Sequence, residues 1–169
     1  MTGGVKMLSR ILEEELNRQI NEELFSAYLY FAMSAHFEAE NWKGFASWLR
    51  IQAIEELGHA DRFYKFVIER GGRVELQSIE KPTKEWKNAL SVFEDGLKHE
   101  RHITERINHL MDIAIKEKDY ASQSILKWFV DEQVEEEANF SEIVAKLKMI
   151  EDSPRALFYL DHELAKRAK

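Results

Sequence analysis

Apolar residues recur along nearly the whole chain at intervals of three and four rather than two, the period of helices packed on one face. Only 7 glycines and 2 prolines interrupt the pattern. A first helix is expected from near Met7 or Ser9 to about Glu38, and a second from an N-cap near Asn41 to the Gly71-Gly72 stop. The stretch "GGRVELQSIEKPTKEW" then loses helical periodicity for about a dozen residues up to Pro82. Thr83 stands as the N-cap of a third helix over 83–118, and "KEKDYAS" marks a turn into a fourth over 120–150. Ser153 followed by Pro154 restarts a short fifth helix over 154–167. A loop as long as 71–83 can run the length of a bundle and leave its flanking helices parallel. The expected architecture is all-α: a single domain over 1–169, with an antiparallel four-helix bundle over 8–150, one long crossover and a short C-terminal helix.

Each long helix carries an apolar stripe broken by acid. The second reads Phe45, Leu49, Gln52, Glu56, His59, Phe63, Phe66, so the Glu56-x-x-His59 pair faces inward. Glu100 interrupts Leu90, Phe93, Leu97 and Ile107, Met111 on the third helix, Glu136 interrupts Leu126, Phe129, Gln133 and Phe140, Val144 on the fourth, and Glu23 lies between Leu16, Ile20 and Ala27, Tyr30 on the first. One glutamate on such a stripe is most often a flank residue whose stem snorkels to water. Four, each near the middle of its helix, would meet at one level of a bundle, where each buried ion costs several kcal/mol unless compensated.

Composition narrows the compensation. Asp and Glu number 31 against 24 Lys and Arg, a formal net charge of −7, so no basic field invites nucleic acid, and cations are the expected partners. There is no cysteine, which removes disulfides, thiolate ligands and Fe–S clusters. Proton sharing relieves part of the repulsion. A cation relieves more, and several carboxylates with one imidazole and an amide suit a carboxylate-bridged pair of first-row metals better than a closed tetrahedral zinc site. Iron is the redox-capable candidate. The N-terminus lacks a long apolar run and no later stretch approaches a membrane span, so a cytoplasmic protein without membrane association is expected.

The segments "NEELFSAYLYFAMSAHF", "IEELGHADRF", "LKHERHI", "WFVDEQVEEEANF" and "LFYLDHEL" resemble bacterial non-haem ferritins, in order and over essentially the whole chain. A second Glu-x-x-His motif is missing: "DEQVEEE" has Gln133 and Glu136 in its place, unlike bacterioferritin and rubrerythrin. Leu57 stands where bacterioferritins carry a haem-ligating methionine, so no haem is expected.

The resemblance implies a first iron site from Glu23, Glu56 and His59, with Glu56 bridging to a second site completed by Glu100 and Glu136, with Gln133 nearby. It implies a third site from Glu55, Glu132, Glu135 and Glu136, and a redox role for Tyr30. Trp128 occupies a neighbouring position, while His99 and His102 are expected to point off the core stripe. The implied activity is ferroxidase: Fe²⁺ and O₂ are substrates, and Fe³⁺ is stored as a ferric oxyhydroxide mineral inside a hollow homo-oligomeric shell of 24 subunits. Ile54, Leu57, Tyr64 and Ile68 on a second flank of the second helix agree with subunit packing. The alternatives are a soluble di-iron oxidase or peroxidase of the rubrerythrin type, and a metal-free helical bundle.

Overall fold

The computed structural model describes residues 7–151 and 153–168. The expectations on residues 1–6, and the outer limits of the 1–169 domain, lie outside the described residues. Among the described residues are five helices: α1 (Arg10–Ala39), α2 (Lys43–Glu69), α3 (Ala89–Lys116), α4 (Tyr120–Ile150) and α5 (Pro154–Leu164).

Three helix ends close in the same way. After α1, Trp42 N–H bonds to the Phe37 carbonyl and Asn41 N–H to Glu38; after α2, Gly72 bonds to Val67 and Gly71 to Ile68; after α3, Asp119 bonds to Ala114 and Lys118 to Ile115. The middle residues Asn41, Gly71 and Lys118 have φ of 65°, 72° and 54°, the left-handed turn of a Schellman closure. This corrects the role of Asn41. Asparagine suits both an N-cap and a left-handed position; here it ends α1, and Trp42, without a side-chain cap, precedes α2.

The third helix also starts later than expected, at Ala89 rather than residue 83. Asn88 and Ser91 form a reciprocal capping box, so the start signal at Thr83 loses to a better one five residues on. Trp86, outside the helix, packs edge-on to His36 and donates Nε1–H to Asp95 Oδ2 at 3.1 Å. The fifth helix ends at Leu164, with Ala165 as its C-cap, three residues short of the expected 167.

The crossover lies along α1. Buried Asn17 donates to the Arg73 carbonyl at 2.9 Å and accepts from Glu75 N–H at 2.7 Å, while Glu13 accepts from Arg73 N–H at 3.0 Å. Returning the chain to the opposite end makes α2 and α3 parallel, as the core shows. One apolar block joins Leu29–Phe37 of α1, Phe45–Ala53 of α2, Val92–Leu97 of α3 and Phe140–Leu147 of α4. The other joins Leu8–Ile20, Phe63–Val67, Ile103–Ala114 and Leu126–Phe129.

At the lower end the ion pair of Arg70 and Asp119, two charge-assisted bonds of 2.8 and 2.9 Å, ties the end of α2 to the start of α4. At the upper end α5 docks on the first turn of α2. Asp161 Oδ1 accepts the Phe45 N–H at 2.9 Å, supplying the cap that Trp42 lacks. Any Cβ at residue 44 would overlap the Asp161 carbonyl, so Gly44 permits that approach.

Candidate metal centre

Between the two apolar blocks lies a layer of ionisable side chains. Glu23, Glu56, Glu100 and Glu136 are 1–3% exposed, one from each long helix, and His59, Gln133 and Tyr30 are buried with them. The stripe spacing put them there: three or four residues from Glu23, Glu56 and Glu136 stand Ile20, Ala53 and Phe140, and Glu100 lies between Leu97 and Ile103, all members of the two blocks.

Neutral donors order the layer. Gln19 Nε2 donates to Glu23 Oε1 at 2.9 Å, and Gln52 Nε2 donates to Glu56 Oε1 at 3.1 Å and Glu136 Oε2 at 2.6 Å. Gln133 Nε2 donates to Glu100 Oε2 at 3.1 Å and to the Glu100 carbonyl at 3.2 Å, and the Tyr30 hydroxyl donates to Glu100 Oε1. His59 Nδ1 stands 3.0 Å from Glu56 Oε2, and its Nε2 is 3.7 Å from Glu132 Oε1. Among the described residues, no lysine or arginine donates to these four carboxylates. Glu23 Oε2 is buried with no hydrogen-bond partner.

That combination shifts the four carboxyls and the Tyr30 phenol. Burial, then the Glu56 charge, pushes Glu23 well above the ordinary carboxylate range. Glu56 rises likewise through burial and the Glu100 and Glu136 charges. Burial raises Glu100 to about 7, and burial with the Glu100 charge raises Glu136 to about 8. Tyr30 is also driven up, by burial and then Glu100.

Three sets of donor atoms fall within 4.8 Å of one another: Glu23, Glu56 and His59; Glu56, Glu100 and Glu136; and His59, Glu132 and Glu136. Glu56 is common to the first two sets, the position of a bridging ligand. An orphaned carboxylate oxygen at Glu23 and mutually repelling acids without cationic donors fit a divalent cation of oxygen preference, with one imidazole selecting a first-row metal.

The residues named for a third site separate. Glu132 and Glu136 join His59, but Glu55 and Glu135 are exposed and belong to none of the three sets. Glu55 instead pairs with Arg167 at 2.6 Å. Trp128 is partly exposed, edge-on to His59 at 5.6 Å, with the Arg62 guanidinium 3.8 Å from its ring. His102 is exposed and pairs with Glu22 at 3.0 Å. His99 departs from expectation: one step round the helix from Glu100 turns it toward α1, where its Nε2 lies 2.7 Å from Ser26 Oγ and its ring meets Tyr30 edge-on. Desolvation, then His102, lowers its pKa to about 4.

Sequence reasoning missed two of the ordering donors as site residues. Gln19 and Gln52 each stand four residues before an inward glutamate, Glu23 and Glu56, so a repeated Gln-x-x-x-Glu spacing was the available signal. Arg167 carried none.

Fold and site together define a class: a four-helix bundle whose core contains a carboxylate-rich layer that could hold metal ions. The ferritin-like domain family model matches residues 13–150. A bacterial non-heme ferritin of Staphylococcus haemolyticus is 43% identical over 162 residues, covering 96% of this chain and 98% of its own; one from Bacteroides fragilis is 42% identical over 95% of this chain and 100% of its own. The structure of an open pore ferritin from the hyperthermophilic archaeon Archaeoglobus fulgidus superposes with a TM-score of 0.94 at 48% identity, over 95% of this chain and 99% of that one. The chain belongs to the ferritin family and is an iron-storage ferritin.

Proposed function

We propose that the chain is a ferroxidase subunit that oxidises Fe²⁺ with O₂ at the intrabundle layer and passes Fe³⁺ to a stored ferric oxyhydroxide mineral. The observation that carries the reading is the overlap of ligand sets at Glu56, beside the unpartnered Glu23 Oε2. One Fe²⁺ is held by Glu23, Glu56 and His59, and a second by Glu56, Glu100 and Glu136. The set of His59, Glu132 and Glu136 offers a third position.

Binding two dications displaces the protons that burial keeps on Glu100 and Glu136 near neutrality, and relieves the repulsion among the four acids. Each of the two Fe²⁺ then gives one electron to O₂, which takes up two protons and leaves as hydrogen peroxide. The mixed carboxylate set accommodates the higher charge by changing between one- and two-oxygen coordination. Gln52 and Gln133 donate to Glu56, Glu136 and Glu100, and Tyr30, hydrogen-bonded to Glu100, would be the redox-active side chain of the layer.

Storage needs an enclosure. Ile54, Leu57, Tyr64 and Ile68 of α2 are 41–52% exposed, and Leu76 of the crossover more so, a contiguous apolar flank that a homo-oligomeric shell of 24 subunits would cover. The chemistry is tested by anaerobic Fe²⁺ titration followed by O₂. Wild-type protein should bind two Fe²⁺ per subunit tightly and oxidise them rapidly. In the Glu56→Ala, His59→Ala double variant the initial rate should fall at least about tenfold, in line with direct loss of metal ligands. Unchanged oxidation in that variant would rule the centre out.

A further inference from the structure

Beyond α5 the chain folds back, with Arg167 N–H bonded to the Leu164 carbonyl at 3.3 Å. The Arg167 side chain crosses onto α2 and is held there on several sides. Its guanidinium carbon lies 4.4 Å from the Trp48 ring centre, Nη1 donates to the Trp48 carbonyl at 3.3 Å and to Gln52 Oε1 at 3.0 Å, and Nη2 donates to Glu55 Oε2 at 2.6 Å. Gln52 is fully buried, and its other end, Nε2, reaches Glu56 and Glu136. A continuous chain of hydrogen bonds therefore joins the C-terminal segment to two of the proposed metal ligands.

The direction of those bonds matters. A guanidinium has only donors, and the carboxylates of Glu56 and Glu136 have only acceptors once metal displaces their protons, so both ends of Gln52 then select the same amide orientation. Flipped, the amide would set its NH₂ against Arg167 and its oxygen against Glu56 and Glu136. Without Arg167 the orientation is held from one side only, and Oε1 becomes a buried acceptor without a partner.

We propose that Arg167 is a positioning residue of the metal centre, fixing Glu56 and Glu136 through Gln52 and keeping Glu55 out of the ligand sets by pairing with it. The inference rests on the metal-centre reading above. It also ties the docking of α5 to the centre, because the Asp161 cap on Phe45 N–H and the close approach at Gly44 bring the tail to the level where Arg167 reaches Gln52.

The test is anaerobic Co²⁺ titration of the full-length protein, followed by the visible d–d absorption of the bound ion. It is run on wild type, Arg167→Ala, Arg167→Lys, Gln52→Met and the Arg167→Ala, Gln52→Met pair. Groups that hydrogen-bond a ligand directly change metal affinity about ten- to a hundredfold. Arg167 acts one bond further out, so Arg167→Ala should weaken Co²⁺ binding about three- to tenfold and alter the d–d band. Arg167→Lys, which keeps the charge but lacks the fork, should recover less than half of that loss. In the Gln52→Met background the Arg167→Ala effect should largely vanish, the mark of action through Gln52.

An Arg167→Ala affinity and spectrum unchanged from wild type would overturn the proposal, as would an equal loss in both backgrounds. Wild-type protein that binds no Co²⁺ at the layer would overturn the metal-centre reading and this inference with it. Normal wild-type binding with an unaffected variant removes only the positioning role.

Discussion

Glu100 and Glu136 make the metal-free protein sensitive to alkali. Their folded-state values, about 7 and about 8, lie above the ordinary carboxylate value of the unfolded chain. The folded state therefore holds protons that the unfolded state has already released. The resulting stabilisation is fully present below the ordinary carboxylate value and is lost as pH rises through about 7 and then about 8. Thermal melts of the metal-free protein should show a falling Tm from pH 6 to pH 9. A saturating divalent metal, which replaces the protons, should raise the pH 9 melt most. A Tm that rises over that interval without metal would contradict the buried layer. These acids were legible in the sequence because a charged residue breaks an apolar stripe visibly. Of the glutamines that order them, Gln133 came only through the family resemblance, and Gln19 and Gln52 went unmarked, since an amide on such a stripe raises no electrostatic alarm. Arg167 was invisible for a different reason: its contacts are set by where α5 docks, which no local spacing encodes.

At the level of helices, what the sequence disclosed was periodicity, and what it hid was competition between start signals. The stripes of α2 and α4 are buried along their whole expected length. Asn41 and Thr83 were plausible N-caps, yet Asn41 serves the left-handed closure of α1, and Asn88 with Ser91 outcompetes Thr83 by forming both bonds of a capping box. The crossover similarly gains order from a side chain distant in sequence, Asn17, rather than from its own composition. The ion pair of Arg70 and Asp119 ties the end of α2 to the start of α4. The Arg70 guanidinium beside it, with the Ser122 N–H, holds Asp119 down at about 2. The sign is opposite to that of the metal layer: this contribution is present above the ordinary aspartate value and is lost as pH falls through about 2. At neutral pH, Asp119→Ala leaves the buried Arg70 facing a lost carboxylate and removes the α4 N-cap, so it should cost about 3–5 kcal/mol. Denaturant unfolding measures that loss; a cost below about 1 kcal/mol would show that the pair is not a structural tie.

Taken whole, the molecule is two apolar blocks separated by an acidic layer. It would be an unfavourable design if stability alone were at stake, and it makes sense if the layer is filled by cations. The exposed apolar flank of α2 is the surface that the proposed shell would cover. The bacterial and archaeal ferritins match at least 95% of this chain and 98% or more of their own. Storage by this chain is decided by aerobic Fe²⁺ loading, followed by gel filtration with iron detection and electron microscopy of the iron-bearing peak. The account predicts an electron-dense ferric core that elutes with a hollow particle of about 480 kDa, the mass of 24 copies of the 19.9 kDa chain. Iron that elutes with a monomer or dimer, bound at no more than the few ions one bundle can hold, would contradict it.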